Sequence, residues 1–488
     1  MDGCRWWATI VLTALTVGVG SSAAKAQSSG PTLSQFQHVA PHTGQHAAPP
    51  RPVAWEEPAP PDYGVSTPLE ERIVELEEAL AGIRRAEDEA RRREAGRPSV
   101  SVGGRMHLDW ALFGQGEASR ETFGNQRDAV GFRRTRLGAL GEAFHVFNYR
   151  VEMDFAATDT GTNEDGSTFI SQSTAFRDVF FGVTELPVVG NLRVGHFKEP
   201  FSLEQLISSN NITLMERSLN DAAFVPGRSV GAMIFDTAAD ERVTWAIGAF
   251  RTKLDNADRP PFRRNDGGGT SLTMRGTWLP WYDEPTEGRG LLHLGLGYSY
   301  RDVDDGQIRF RARPETAWSD RFVDTQNILN TRAYQLFGTE AAFVYGPFSV
   351  QTEWFGTWVD RSAAADAQFN GYYVYVSYFL TGEHRRYRKS AGAFDRIVPY
   401  ENFFRVRDGR GAIQTGRGAW ELAYRHSYID LVDGLIEGGH LSDHTLGLNW
   451  YMSPYARMMW NYVHTYGTPD LVASADMNIF QMRVQFDF

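Results

Sequence analysis

Apolar and polar residues alternate with a period of two along stretch after stretch of this chain, and within each stretch the charges keep to one parity. In the last strand-like run, Phe480, Met482, Val484, Phe486 and Phe488 alternate with Gln481, Arg483, Gln485 and Asp487. Successive side chains of a β-strand point to opposite faces, so one face of such a ribbon is wholly apolar and the other wholly polar. The pattern recurs at Val100–Leu112, where Met106, Leu108, Trp110 and Leu112 oppose Arg105, His107 and Asp109. It returns at Tyr149–Phe155 against Arg150, Glu152 and Asp154, and at Leu292–Tyr300 against His293, Ser299 and Arg301. Trp420–Tyr424, Leu446–Met452 and Met458–Tyr462 repeat it near the end of the chain. An arginine turned toward lipid at mid-bilayer costs ~2–4 kcal/mol, whereas one turned toward water costs little. One-sided charge placement therefore predicts an antiparallel, all-β transmembrane barrel with its apolar face outward.

The size of that barrel follows from length. A tilted spanning strand takes ~9–11 residues, so residues 99–488 hold about 16 strands, within a range of roughly 14–18. The aromatic share of 13% supplies the girdles that flank a membrane-facing band. Mean hydropathy is -0.38, as alternation requires, and no stretch after residue 30 approaches a spanning helix.

Charge excludes nucleic acid as a partner, because the chain is net -11 and has no basic excess to replace phosphate counterions. Thirteen acidic and ten basic residues precede Ser99, leaving the barrel region with 47 against 39. Of those 39, only Lys198, Lys253 and Lys389 are lysine, so arginine is the cation this chain uses.

Three segments precede the barrel. Residues 1–26 read as a secretory signal peptide: Arg5, an apolar run from Trp6 to about Val19, then Ala24-Lys25-Ala26. The one cysteine, Cys4, falls inside it, so the exported chain carries no thiol. Residues 27–66 form a proline-rich linker with the composition of a disordered spacer, within reach of the cell wall. Residues 67–97 read as a helix opened by Thr67-Pro68-Leu69-Glu70. Its Leu69, Ile73, Leu76, Leu80 and Ile83 make a short coiled-coil seam, so linker and coiled coil are expected in the periplasm.

Several stretches resemble the phosphate-selective porin O and P family: Phe132–Gly138, Gly195–Glu204 continuing through Met215–Leu219, Gly346–Gln351, Leu380–Arg385, Phe394–Arg396, Ala419–Leu422 and Gly447–Tyr451. They occur in family order. The resemblance implies a roughly sixteen-stranded homotrimeric porin of the bacterial outer membrane whose third loop folds inward, with lumen cations guiding phosphate or related anions. It also implies that Lys198, Glu199, Pro200, Phe201, Glu204, Glu216 and Arg217 belong to the approach and the constriction loop. The scarcity of lysine departs from the family pattern and weakens the expectation of phosphate itself.

An anion path needs fixed positive charge spread over several weak sites. Arginine suits oxyanions because its planar fork donates two parallel hydrogen bonds. The candidates are Arg134, Arg136, Lys198, Arg217 and Arg228, with Arg105 and Arg275 as lumen-side additions. Each could instead brace the wall by pairing with a carboxylate such as Glu142, Glu152, Glu199, Glu204, Glu216 or Glu421. The basic run His384–Lys389 reads as an extracellular loop that draws anions in, or as a solvated loop that contacts lipopolysaccharide phosphates or a neighbouring subunit. Around Gly195 both parities mix polar and apolar residues, and strand boundaries are not legible there.

Two other classes compete. The net negative barrel leaves a general or cation-tolerant diffusion pore open, and the N-terminal segments leave an envelope tether open. An enzyme is not expected, since no G-x-S-x-G or triad spacing occurs. No cofactor is expected, and no metal site either: the twelve histidines lack ligand spacing, and Asp302–Gly306 departs from a calcium loop.

Overall fold

The computed structural model describes residues 77–82, 98–162, 168–251, 269–407, 411–469, 471 and 473–488. Among them sixteen antiparallel strands close into one barrel. The strands are β1 (Ser101–Gln115), β2 (Ala129–Ala143), β3 (Phe147–Thr162), β4 (Thr168–Leu186), β5 (Gly190–Lys198), β6 (Arg228–Ala238), β7 (Val243–Arg251) and β8 (Thr270–Tyr282). They continue as β9 (Gly290–Asp302), β10 (Thr331–Tyr345), β11 (Phe348–Arg361), β12 (Ala367–Phe379), β13 (Ala419–Asp433), β14 (Ile436–Ser453), β15 (Ala456–Thr468) and β16 (Ala475–Asp487). Each pairs with its chain neighbours, and β1 closes on β16 with Asp109 opposite Arg483 and Leu112 opposite Phe480.

The two-faced pattern settles orientation. Leu112, Val151, Leu294, Leu296, Leu422, Leu446, Phe480 and Phe486 are exposed on the outer surface. Their neighbours Arg105, His107, Asp109, Arg150, Glu152, Asp154, Arg301, Arg425 and Arg483 are buried on the inner one. Reversing any one strand would carry several charges into hydrocarbon, so the register is strongly specified. No described helix is long and apolar enough to cross a membrane.

Part of the interior is apolar, which the alternation does not announce. Phe355, Phe369, Ile429, Leu441, Val463, Met477 and Ile479 face inward and pack with Phe201, Phe224, Phe310, Phe322 and Ile328. These partners come from two long connections, 199–227 and 303–330. Phe123, on the short helix Glu117–Phe123 between β1 and β2, stacks on Phe322 with ring centroids 4.1 Å apart. Burying one such aromatic contributes ~1.5–3 kcal/mol, so these connections are seated by packing as well as by polar contacts.

One connection is on the opposite rim from that expected. Both ends of the barrel, at Ser101 and Asp487, share a rim with the short turns 144–146, 187–189, 346–347 and 454–455. Outer-membrane barrels place short turns in the periplasm and long loops outside. Residues 380–418, which join β12 to β13, lie on the short-turn rim, so the basic run His384–Lys389 is not an extracellular funnel. Charge density marks a run as solvated or bound but carries no information about which rim it occupies; the parity of the strand count does. The run is also tied down. The Arg385 guanidinium sits 3.6 Å over the Phe394 ring and donates to Gln351, and Lys389 donates to Glu284.

Near Gly195 the mixed parity has a local cause. Gly195 has φ +139°, and a Cβ there would lie 2.3 Å from the Val179 carbonyl oxygen. The distortion in mid-strand lets both His196 and Phe197 be buried. Of the expected N-terminal coiled coil, residues 77–82 are helical with Leu80 exposed. The signal peptide, the linker and the rest of the seam lie outside the described residues.

Candidate functional site

The connection 199–227 is gripped from many strands by side chains of the inward parity. Glu353 on β11 accepts from the backbone N–H groups of Leu203 and Glu204. Arg425 on β13 donates to Glu204 and to the Glu216 carbonyl, and Asn449 on β14 to the Thr213 carbonyl. Arg457 on β15 reaches the Ile212 carbonyl, and Arg483 on β16 the Met215 carbonyl. On β1, Arg105 donates to Ser209, and His107 lies 3.2 Å from the Asn210 side-chain oxygen. Backbone groups that a short irregular segment cannot pair internally thus find partners on the wall.

Where this connection meets β1–β6, a small pocket of about 40 Å³ is lined by Arg105, Arg134, Arg136, Arg150, Asp178, Lys198, Ser208, Ser209, Arg217 and Arg228. Seven cations face one carboxylate there. Six of the seven cations singled out from the sequence meet at this point. The seventh, Arg275, does not: it forks onto Glu340 at 2.8 and 2.7 Å and donates to the Gly392 carbonyl, bracing the wall against the short-turn rim.

The surrounding acids are shared rather than matched one to one. Glu152 contacts Arg105, Arg136 and Arg150, and Asp154 contacts Arg136 and Arg177. Asp178 forks with Arg228 at 3.0 and 3.2 Å and also contacts Arg150. Glu216 contacts Arg133, Arg134 and Arg483. Burial works to raise the Glu216 carboxyl, but those three guanidiniums together hold it well below the usual carboxylate range. Lys198 pairs with no carboxylate among the described residues and donates to the carbonyls of Gln205, Leu206 and Ile207. Bracing and positive charge therefore coexist, since cations outnumber the acids that touch them.

The residues assigned to the constriction loop divide into two kinds. Glu199 is fully buried and held by Arg301, Ser229 and Thr273, and Phe201 packs on Phe355. Pro200 is buried beside them, and Glu204 is tied to Arg425 while accepting from the Ser218 N–H. These four anchor the segment. Lys198, Glu216 and Arg217 instead line space, and Arg217 also donates to the carbonyls of Glu204, Gln205 and Ile207. Arg150, Asp178, Ser208 and Ser209 were not among the sequence candidates. Arg150 was within reach, because it shares its parity with Glu152 and Asp154; the two serines carry no signal before the fold brings them to Arg105. No group of three metal-ligating side chains occurs among the described residues.

Residues 100–488 match the sequence model of the family described as phosphate-selective porin O and P. The chain belongs to that family. Porin O of Pseudomonas aeruginosa is 28% identical over 398 residues, which are 75% of this chain and 82% of the relative. An uncharacterised protein of Caulobacter vibrioides is 27% identical over 371 residues, 73% of this chain and 68% of the relative. Among solved structures, the outer membrane channel DcaP of Acinetobacter baumannii covers 80% of this chain and 97% of its own, at 12% identity and a TM-score of 0.48. As a member of this porin family the chain is an outer-membrane channel protein and not an enzyme.

Proposed function

We propose that this porin conducts small oxyanions of the phosphate class passively through the pocket lined by Arg105, Arg134, Arg136, Lys198, Arg217 and Arg228, with segment 199–227 as the inward loop that narrows the lumen. The observation that carries this reading is the meeting of seven cations with a single carboxylate, Asp178, in about 40 Å³. A water-sized site needs roughly 10–15 Å³, so only a small ion with little of its hydration fits there. At ~4 Å an anion gains about 1 kcal/mol from one cation in water and about 4 in the screened interior of a protein, and several shared cations let the ion pass from one to the next.

Reversal potentials in planar bilayers under a potassium chloride gradient test the proposal. The expected sign is that of preferred chloride passage; potassium preference would transfer the pore to the general or cation-tolerant class. We further propose that the barrels associate as homotrimers and that residues 1–26 direct export. In the same reading, residues 27–66 and 67–97 stand in the periplasm as linker and coiled-coil helix, in reach of the cell wall. Removing residues 27–97 should leave conductance intact. Envelope detachment in that variant would make tethering the main task.

A further inference from the structure

A second cavity lies against the first, toward the long-loop rim. It measures about 360 Å³ and is bounded by residues of β2 and β3, by Glu216–Ser218 with Asp221 and Ala222, and by Arg313–Trp318. β2 descends from the long-loop rim, so Phe132 and Arg133 stand outside Arg136. Arg134 and Arg217 line both cavities, so the two adjoin at these side chains.

The outer chamber differs in chemistry as well as size. It holds four arginines but also features that bare phosphate cannot use. The Trp318 indole lies against β2 where Gly131 has no side chain; a Cβ there would fall 2.6 Å from the ring. The Trp318 Nε1–H, the Ser218 Oγ and one Asp221 carboxylate oxygen are buried without a hydrogen-bond partner. Ser218 is 2% exposed, and the only ionic contact of Asp221 among the described residues is Arg217, at 3.8 Å. A polar group left unpaired in this way costs ~1–3 kcal/mol, so a ligand that supplies partners gains by it. A carboxylate oxygen repels an oxyanion but accepts from a hydroxyl, and an indole face packs against the C–H surface of a ring. On the cationic side, Arg313 donates only to the carbonyls of Ala317 and Ser319 and pairs with no carboxylate among the described residues.

We propose that this chamber recognises small phosphorylated polyols of the sugar phosphate class, its arginines taking the phosphate while Trp318, Ser218 and Asp221 take the hydroxylated body. The proposal rests on the reading of the inner pocket as the anion path. The volume suits it, since small-molecule pockets begin near ~300 Å³.

The test compares probes that block chloride current through the full-length protein in planar bilayers when added on the long-loop side. Glucose 6-phosphate should half-block at a concentration at least about fivefold below that of inorganic phosphate, and glucose alone should not block. Trp318→Ala should bring the two half-blocking concentrations together, and Ser218→Ala, which removes no packing, should narrow the gap about two- to threefold. An anion-selective, phosphate-blocked channel that treats the two probes alike, or keeps its preference in both variants, overturns the chamber proposal alone. A channel that prefers potassium or ignores inorganic phosphate overturns the reading of the inner pocket first.

Discussion

Lys198 is the cation whose removal isolates the electrostatics of the inner pocket from the integrity of the wall. Lys198→Met keeps an unbranched side chain, one heavy atom shorter, and deletes one charge. The carbonyls of Gln205 and Ile207 that accept from Lys198 also accept from Arg217, so the variant leaves only the long 3.4 Å contact to Leu206 without a replacement. The seat of segment 199–227, built from Glu353, Arg425, Asn449, Arg457 and Arg483, is untouched. One unit charge at ~4 Å is worth about 1 kcal/mol in water and about 4 at the effective dielectric of a protein near its surface. With 1.4 kcal/mol per factor of ten, the half-blocking concentration of inorganic phosphate should rise at least about fivefold, and the reversal potential should move toward zero. Single-channel recording measures both, and heat-modifiability on denaturing gels confirms an intact barrel. Phosphate block and reversal potential within twofold of the unmodified protein, in a barrel that runs as folded, would refute the claim that anions pass beside Lys198.

Three other outcomes follow from particular contacts. Arg275→Ala leaves Glu340 buried without its fork and should cost ~3–5 kcal/mol, read as a lower temperature of barrel unfolding on denaturing gels. Burial pushes the Asp221 carboxyl up to about 6, with Glu204 and Glu216 adding to the rise and Arg217 and Lys198 opposing it. A carboxyl with a raised pKa is neutral below that value and charged above it, so lowering the pH from 7 to 5 removes one negative charge beside Arg217; chloride preference should increase over that interval, and Asp221→Asn should abolish the change. Leu446→Arg places a charge on the outer face and should destabilise the barrel by up to ~2–4 kcal/mol, whereas Gln481→Arg, on the inner face of β16, should not incur that lipid penalty; refolding yield into lipid vesicles separates the two.

The alternation of single residues made the strands and their faces legible before any coordinates, because parity is a local property of the chain. Phe480 and Arg483 declare opposite faces within four residues, whatever the rest of the barrel does. Lumen contacts are different in kind. Arg136 reads the same as Arg228 along the chain, yet the first divides between Glu152 and Asp154 while the second forks two guanidinium nitrogens onto Asp178. Arg275 carried the right parity and still stands apart from the cationic pocket, since Glu340 sits two strands away and the pairing of β8, β9 and β10 brings it near.

Sequence by itself therefore determined the barrel, its inside and its outside, and the family to which the chain belongs. Tertiary structure decided which cations gather and which are neutralised, that the basic run 384–389 faces the short-turn rim, and that two long connections fill part of the interior with aromatic rings. Range explains the division: face selection depends on neighbours two residues apart, whereas charge balance in the lumen depends on groups 16 to 374 residues apart that meet only once strands have paired and the inner segment is seated.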